Sequence, residues 1–138
     1  MASMTNAFET DLLEFIFQDT AIPWEAAATN LYVSLHTSSA GEAGDQTTNE
    51  AAYTSYARVA VVRSGSGWDV TNDVASNVAA VTFPAATGGS ETVTHFGVGT
   101  DSTGTGNLVF HAALGSGLAV SSGITPEFAI GVLTITAA

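Results

Sequence analysis

The chain has 138 residues, 46% of them hydrophobic and only 11% charged, with no cysteine, two arginines as its only cationic side chains besides histidine, and a net charge of −11. Such a length suits one domain with a core large enough to need no disulfide or metal staple, and the missing cysteines exclude a redox framework and a thiolate metal site. A lysine-free acidic surface cannot cluster cations against phosphate, which argues against nucleic acid and anionic membranes as partners.

The first element predicted is a helix over residues 6–18. Asn6 and Glu9 have the spacing of a capping box, with Thr5 as the alternative cap. Phe8, Leu12, Leu13, Phe15 and Ile16 then recur at helical intervals, and Phe17 widens the apolar stripe beyond what a modest surface helix requires. Pro23 forces the chain out of helix, and Trp24 lies in the short loop that follows. No cationic segment leads into a long apolar run, so no signal peptide is expected, and no stretch reaches the ~20 apolar residues of a membrane helix.

From Asn30 onward the chain reads as short strands between turns. Asn30–Thr37 alternates, with Leu31, Val33 and Leu35 on one side and Tyr32, Ser34 and His36 on the other. Residues 38–51 form an acidic, glycine-containing loop expected to be too polar to bury. A strand region is predicted over Tyr53–Arg63, with Val59 and Val61 sharing one face and Arg58 and Val62 the other, and a turn over Ser64–Gly67. Trp68 and Val70 begin another strand, broken at Asn72–Asp73. Strands follow at Val78–Phe83, Thr92–Val98, Leu108–Ala112, Leu118–Val120 and Phe128–Thr136, separated by loops rich in glycine, serine and threonine. Seven or eight short strands without βαβ alternation predict an all-β fold, an antiparallel β-sandwich or small barrel with an accessory N-terminal helix. The division expected is a helix and linker over residues 1–25 and a β-sandwich domain over 26–138.

Chemistry is hard to assemble from these residues. His36, His95 and His111 each fall in a predicted strand but show no local pairing such as His-x-His, so half-exposed strand histidines are a simpler reading than a zinc site. Gly65–Gly67 and Gly115–Gly117 lack the strand–turn–helix setting of a nucleophile elbow, and without lysine a P-loop cannot form. Glu42, Asp45, Glu50, Asp69, Asp73 and Asp101 lie in loops, outside apolar runs that would raise a carboxyl pKa, and none follows the calcium-loop spacing. Tyr32, Tyr53, Tyr56, Trp24 and Trp68 could stack on a sugar, although strand aromatics more often fill a core. No catalytic residue, metal or cofactor is therefore expected. The mean hydropathy of +0.29 points instead to apolar surface that meets a partner.

The run LYVSLHTSSAGEAGDQTTNEAAYTSYARVAVVR at Leu31–Arg63 resembles small virion proteins of tailed bacteriophages, as do FPAATGGSETVTHFGVGT at Phe83–Thr100 and VSSGITPEFAIGVLTIT at Val120–Thr136. The resemblance covers most of the chain after Asn30. It implies a non-enzymatic structural protein of the virion, from a group of tail-fibre-like proteins whose small β relatives also serve as head decoration or cement. Two roles follow as expectations. One is a cement protein on the outer head surface, contacting the major capsid protein and copies of itself. The other is a tail-tip or fibre-associated module that contacts tail proteins or a host receptor. Either would suit a homo-oligomer, with a trimer fitting by analogy. The interface residues expected are Phe8, Leu12, Phe15, Ile16 and Trp24.

Overall fold

The alternation of apolar and polar residues in the middle of the chain sets the architecture of the computed structural model, which describes residues 2–137. Ten strands flank one helix: β1 Ser3–Met4, α1 Asn6–Gln18, β2 Asn30–His36, β3 Val59–Val62, β4 Trp68–Thr71, β5 Val74–Asn77, β6 Val81–Thr82, β7 Ser90–Gly99, β8 Leu108–Ser121, β9 Glu127–Phe128 and β10 Thr134–Thr136. All pairings are antiparallel. A five-stranded sheet runs β1-β8-β7-β2-β3, and a three-stranded sheet β10-β5-β4 and a two-stranded ribbon β6-β9 complete the fold. The arrangement is a small sandwich rather than a closed barrel.

Register explains the core. Val33 pairs with Val59 and Val98, and Leu35 with Phe96, so one face of the large sheet carries an unbroken apolar row. That face packs against Trp68, Ile135, Val81, Phe83 and Leu133. Phe83 stacks near Tyr56, and Phe128 meets Phe83 and Phe96 edge-on. Tyr53 and Trp68 are likewise buried, so most of the strand aromatics fill the core.

Several predicted elements take different bounds. The Tyr53–Arg63 region is a continuous strand only at β3: the amides of Ala52 and Tyr53 bond the Glu91 carboxylate, both at 2.8 Å, and Thr54 makes an isolated bridge to Gly88. The two strands expected at residues 108–112 and 118–120 are one long β8. Its register against β7 jumps between Val93/Leu118 and His95/Ala113, leaving residues 114–117 as a wide bulge opposite Thr94. The strand predicted at Phe128–Thr136 is split into β9 and β10 by a turn at Gly131, where φ is +73°. Buried Asn77 fixes that turn, donating to the Ala79 and Ala129 carbonyls and accepting from the Leu133 amide. Asn72 adopts the left-handed conformation (φ 57°) that closes the β4–β5 hairpin, at the break predicted from the sequence.

The second face of the large sheet is also covered. Residues 38–51 do not stay wholly in solvent: Gln46 is fully buried, because the surrounding backbone satisfies both ends of its amide. Its amide Nε2 donates to the Asp101 carbonyl, and Oε1 accepts from the Asp101 amide. Gly99 lies directly beneath, where a Cβ would overlap the Gln46 side chain, and a Cβ at Gly97 would come within 2.8 Å of Ser34 Oγ. Arg58 closes the layer. It pairs with Glu50 through Nε–Oε1 at 2.7 Å and Nη2–Oε2 at 2.9 Å, and it donates to the carbonyls of Asp101 and Gly104. Glu50 also accepts from the Tyr56 hydroxyl, which in turn accepts from the Leu35 amide. Burial pushes the Tyr56 hydroxyl far above its ordinary pKa, so it remains a donor.

His36, His95 and His111 all lie on this second face. His36 and His95 are directly opposed, and His111 pairs with Gly97 two positions along β7. Among the described residues, however, no cluster of three His, Asp or Glu side chains could hold a metal ion. His36 is buried, with Nδ1 2.8 Å from the Thr48 carbonyl and Nε2 2.8 Å from Ser34 Oγ. The carbonyl can only accept, so Nδ1 carries a proton, and in the neutral ring that burial favours the Ser34 hydroxyl donates to Nε2.

Two outcomes follow. Arg58→Ala strands the Glu50 carboxylate under the loops and is expected to cost about 3–5 kcal/mol in urea unfolding. Burial lowers the pKa of His36 in the folded state, while the unfolded ring takes up its proton near ~6.5. Its contribution to stability is therefore complete above that value and is lost as pH falls through the lower folded pKa. The urea midpoint should decline below about pH 6.5, and His36→Gln should flatten that decline.

Candidate assembly surface

The N-terminal segment is fastened to the sheet before the helix begins. Ser3 and Met4 pair with His111 and Phe110 as an edge strand, an element absent from the sequence-based expectation. Thr5, the alternative cap, is the observed one. It is fully buried, its hydroxyl donates to the Leu108 carbonyl, and its oxygen accepts from the Phe8 amide. The helix ends at Asp19 in the left-handed conformation, with the cap amide bonded to the Glu14 carbonyl.

Helical periodicity then divides the apolar residues of α1 between two sides. Phe8, Leu12 and Phe15 follow one line at i, i+4 and i+7, while Leu13, Ile16 and Phe17 follow another at i, i+3 and i+4. Phe8 packs on the body: its ring lies 5.9 Å from that of Trp24 and 5.6 Å from that of Phe110. Trp24 is further covered by the Arg63 guanidinium, 6.0 Å from the ring centre, and Arg63 is held by the Glu25 side chain and carbonyl. Leu12 is half-buried. No residue of α1 is fully buried. The second line is open to solvent, with Leu13 56%, Ile16 59% and Phe17 78% exposed, and Phe15 at 53% extends it around the helix.

Of the five interface residues expected from sequence, the structure gathers Phe8 and Trp24 into an intramolecular aromatic contact, leaves Leu12 beside them, and presents Phe15 and Ile16 outward. Leu13 and Phe17 complete the outward surface. Their signal in the sequence is the excess width of the apolar stripe, which one docked face cannot use up.

Next to this helix root the sandwich opens. A groove of about 670 Å³ lies between the two sheets, walled by Leu31, Val98 and Phe110 on one side and by Trp68, Val70 and Ile135 on the other. Arg63, Asp69 and Asp73 also line it. Both carboxylates are exposed to solvent.

Comparison with known proteins gives one informative match. A family model described as Podophage GP4 fiber I protein gp80 matches residues 3–136. It therefore spans the helix as well as the strands. No curated protein matches the chain.

The two sides of α1 should respond differently to substitution. Phe8→Ala is expected to cost about 2 kcal/mol, below the ~3–5 of a fully buried phenylalanine, whereas Ile16→Glu and Phe17→Glu should stay within about 0.5 kcal/mol of the parent in urea unfolding.

Proposed function

We propose a role from family membership: the chain belongs to the phage family of Podophage GP4 fiber I protein gp80, and the outward face of α1 fastens it into a fibre of the virion. Membership makes it a phage structural protein of the virion. The finer reading, a fibre-associated module that performs no catalysis, draws on the family description and on one structural observation. Leu13, Phe15, Ile16 and Phe17 are all more than half exposed on a single short helix. Apolar patches of this kind on a soluble domain mark contact surfaces.

The cement reading keeps one observation in its favour. A net charge of −11 suits the outside of a DNA-filled head, where contact would be with the major capsid protein. The two roles differ in copy number. Quantitative gels of purified virions should show a small number of copies per particle for a fibre module. Hundreds of copies would transfer the role to head decoration.

The fastening surface is best tested by point substitution, because removing residues 1–20 would also delete β1 and the buried Thr5. Ile16→Glu with Phe17→Glu should yield a folded protein that is lost from virions. Full incorporation of that variant would refute the role given to α1.

A further inference from the structure

The exposed line of α1 is apolar at its centre and negative at its border. Leu13, Ile16 and Phe17 are open to solvent, Glu9 stands one turn before Leu13 on the same line, and Glu14 lies beside Phe17 at i+3. We propose that this face docks into an apolar groove rimmed by lysine or arginine on a different protein of the virion, and not onto a second copy of this chain. This rests on the reading of α1 as the fastening surface and names the chemistry of its partner.

Spacing at i, i+3 and i+4 is the pattern by which an amphipathic helix lies in an apolar groove. The three anchors sit in the second half of α1, toward the negative end of the helix dipole. No basic residue in the last turn offsets that end, and exposed Asp19 adds a carboxylate at the cap. Docking strips water from this border, which opposes the contact wherever no countercharge waits on the other side. Cations at the rim of the groove turn the same border into an attraction, which steers the encounter and fixes the direction in which the helix lies.

A second copy has little to offer as that rim. The chain contains no lysine and two arginines. Arg58 is held by Glu50 with its side chain 3% exposed, and Arg63 lies over Trp24 with Glu25 at 2.9 Å. His36 and His111 are buried. Each copy carries a net charge of −11, so the helix of one approaches a body of its own sign in another. The same sign argues against nucleic acid and anionic lipid as the occupant.

The direction of the charge effect separates the occupants. Glu9→Gln with Glu14→Gln removes the negative border and leaves Leu13, Ile16 and Phe17 in place. Neither carboxylate is ion-paired among the described residues, so the fold should be retained, with a urea midpoint matching the parent. When parent and variant chains are supplied in equal amounts during infection, mass spectrometry of the purified virions should find the variant incorporated about fivefold less, the effect of losing two rim ion pairs. Equal incorporation would overturn the proposal. An excess of the variant would overturn it as well and indicate a second copy as the occupant, since the substitution relieves repulsion between copies. Purified parent and Phe17→Glu chains should sediment alike at low and at high salt, because a solution of this chain alone lacks the partner of α1. Association that Phe17→Glu abolishes would therefore refute the inference. Ile16→Glu with Phe17→Glu reports on the underlying reading. If that variant is lost from virions while the glutamine variant competes equally, α1 still fastens the chain and only the cationic rim is rejected. If it is fully incorporated, the role of α1 itself falls.

Discussion

The covered face of the large sheet depends on the ion pair between Arg58 and Glu50. A sandwich of this size ordinarily leaves the outer face of one sheet in water. Here two loops, residues 38–51 and 100–107, lie over it, and their backbone polar groups need partners. Arg58 supplies donors to the second loop while neutralising the carboxylate that ends the first. Gln46 ties the same loops through both ends of its amide. The layer is polar, densely bonded and tight enough to require glycine at positions 97 and 99. Its rigidity comes from directional bonds, which suits a chain with so few charges to spend at its surface.

The remaining arginine does comparable work at the root of the helix. Arg63 lies over Trp24 and is held by Glu25, while Trp24 receives Phe8. With β1 and the buried Thr5, this contact holds the start of α1 while its far half stands clear of the body. A helix held at one end and apolar at the other is poorly explained by the stability of a lone subunit, since each exposed phenylalanine forgoes burial that a polar residue would not need. It is readily explained if the free half is covered in an assembly.

Much of this was legible in the sequence where a single periodicity governed. The alternation over Asn30–His36 and Thr92–Val98 reflects two strands at the centre of the sheet, and the break at Asn72–Asp73 is the hairpin turn itself. Legibility failed where side chains replaced ladder partners. Glu91 takes up the amides near Tyr53, and Asn77 organises the turn between β9 and β10; neither carboxylate nor amide betrays that duty in a local pattern. The burial of Gln46 was hidden for the same reason, since a polar residue in a polar loop carries no periodic signal. For the candidate surface, helix and stripe were both readable. What the sequence left open was which line of the stripe docks, because Phe8, Leu12 and Phe15 become distinguishable from Leu13, Ile16 and Phe17 only once Trp24 and Phe110 are in place.

The way the two arginines are held also bears on survival outside a cell. A digestive protease that selects basic side chains must draw the arginine, together with extended chain on either side of it, into its specificity pocket. This polypeptide offers two such positions and no lysine. One guanidinium is enclosed by a carboxylate and two carbonyls with its side chain 3% exposed, and the other is clasped by Glu25. Trypsin-like cleavage after Arg58 must therefore wait for the fold to open, whereas Arg63, 31% exposed beside a Glu25 that is itself 58% exposed, is the arginine at which such a protease would first find purchase.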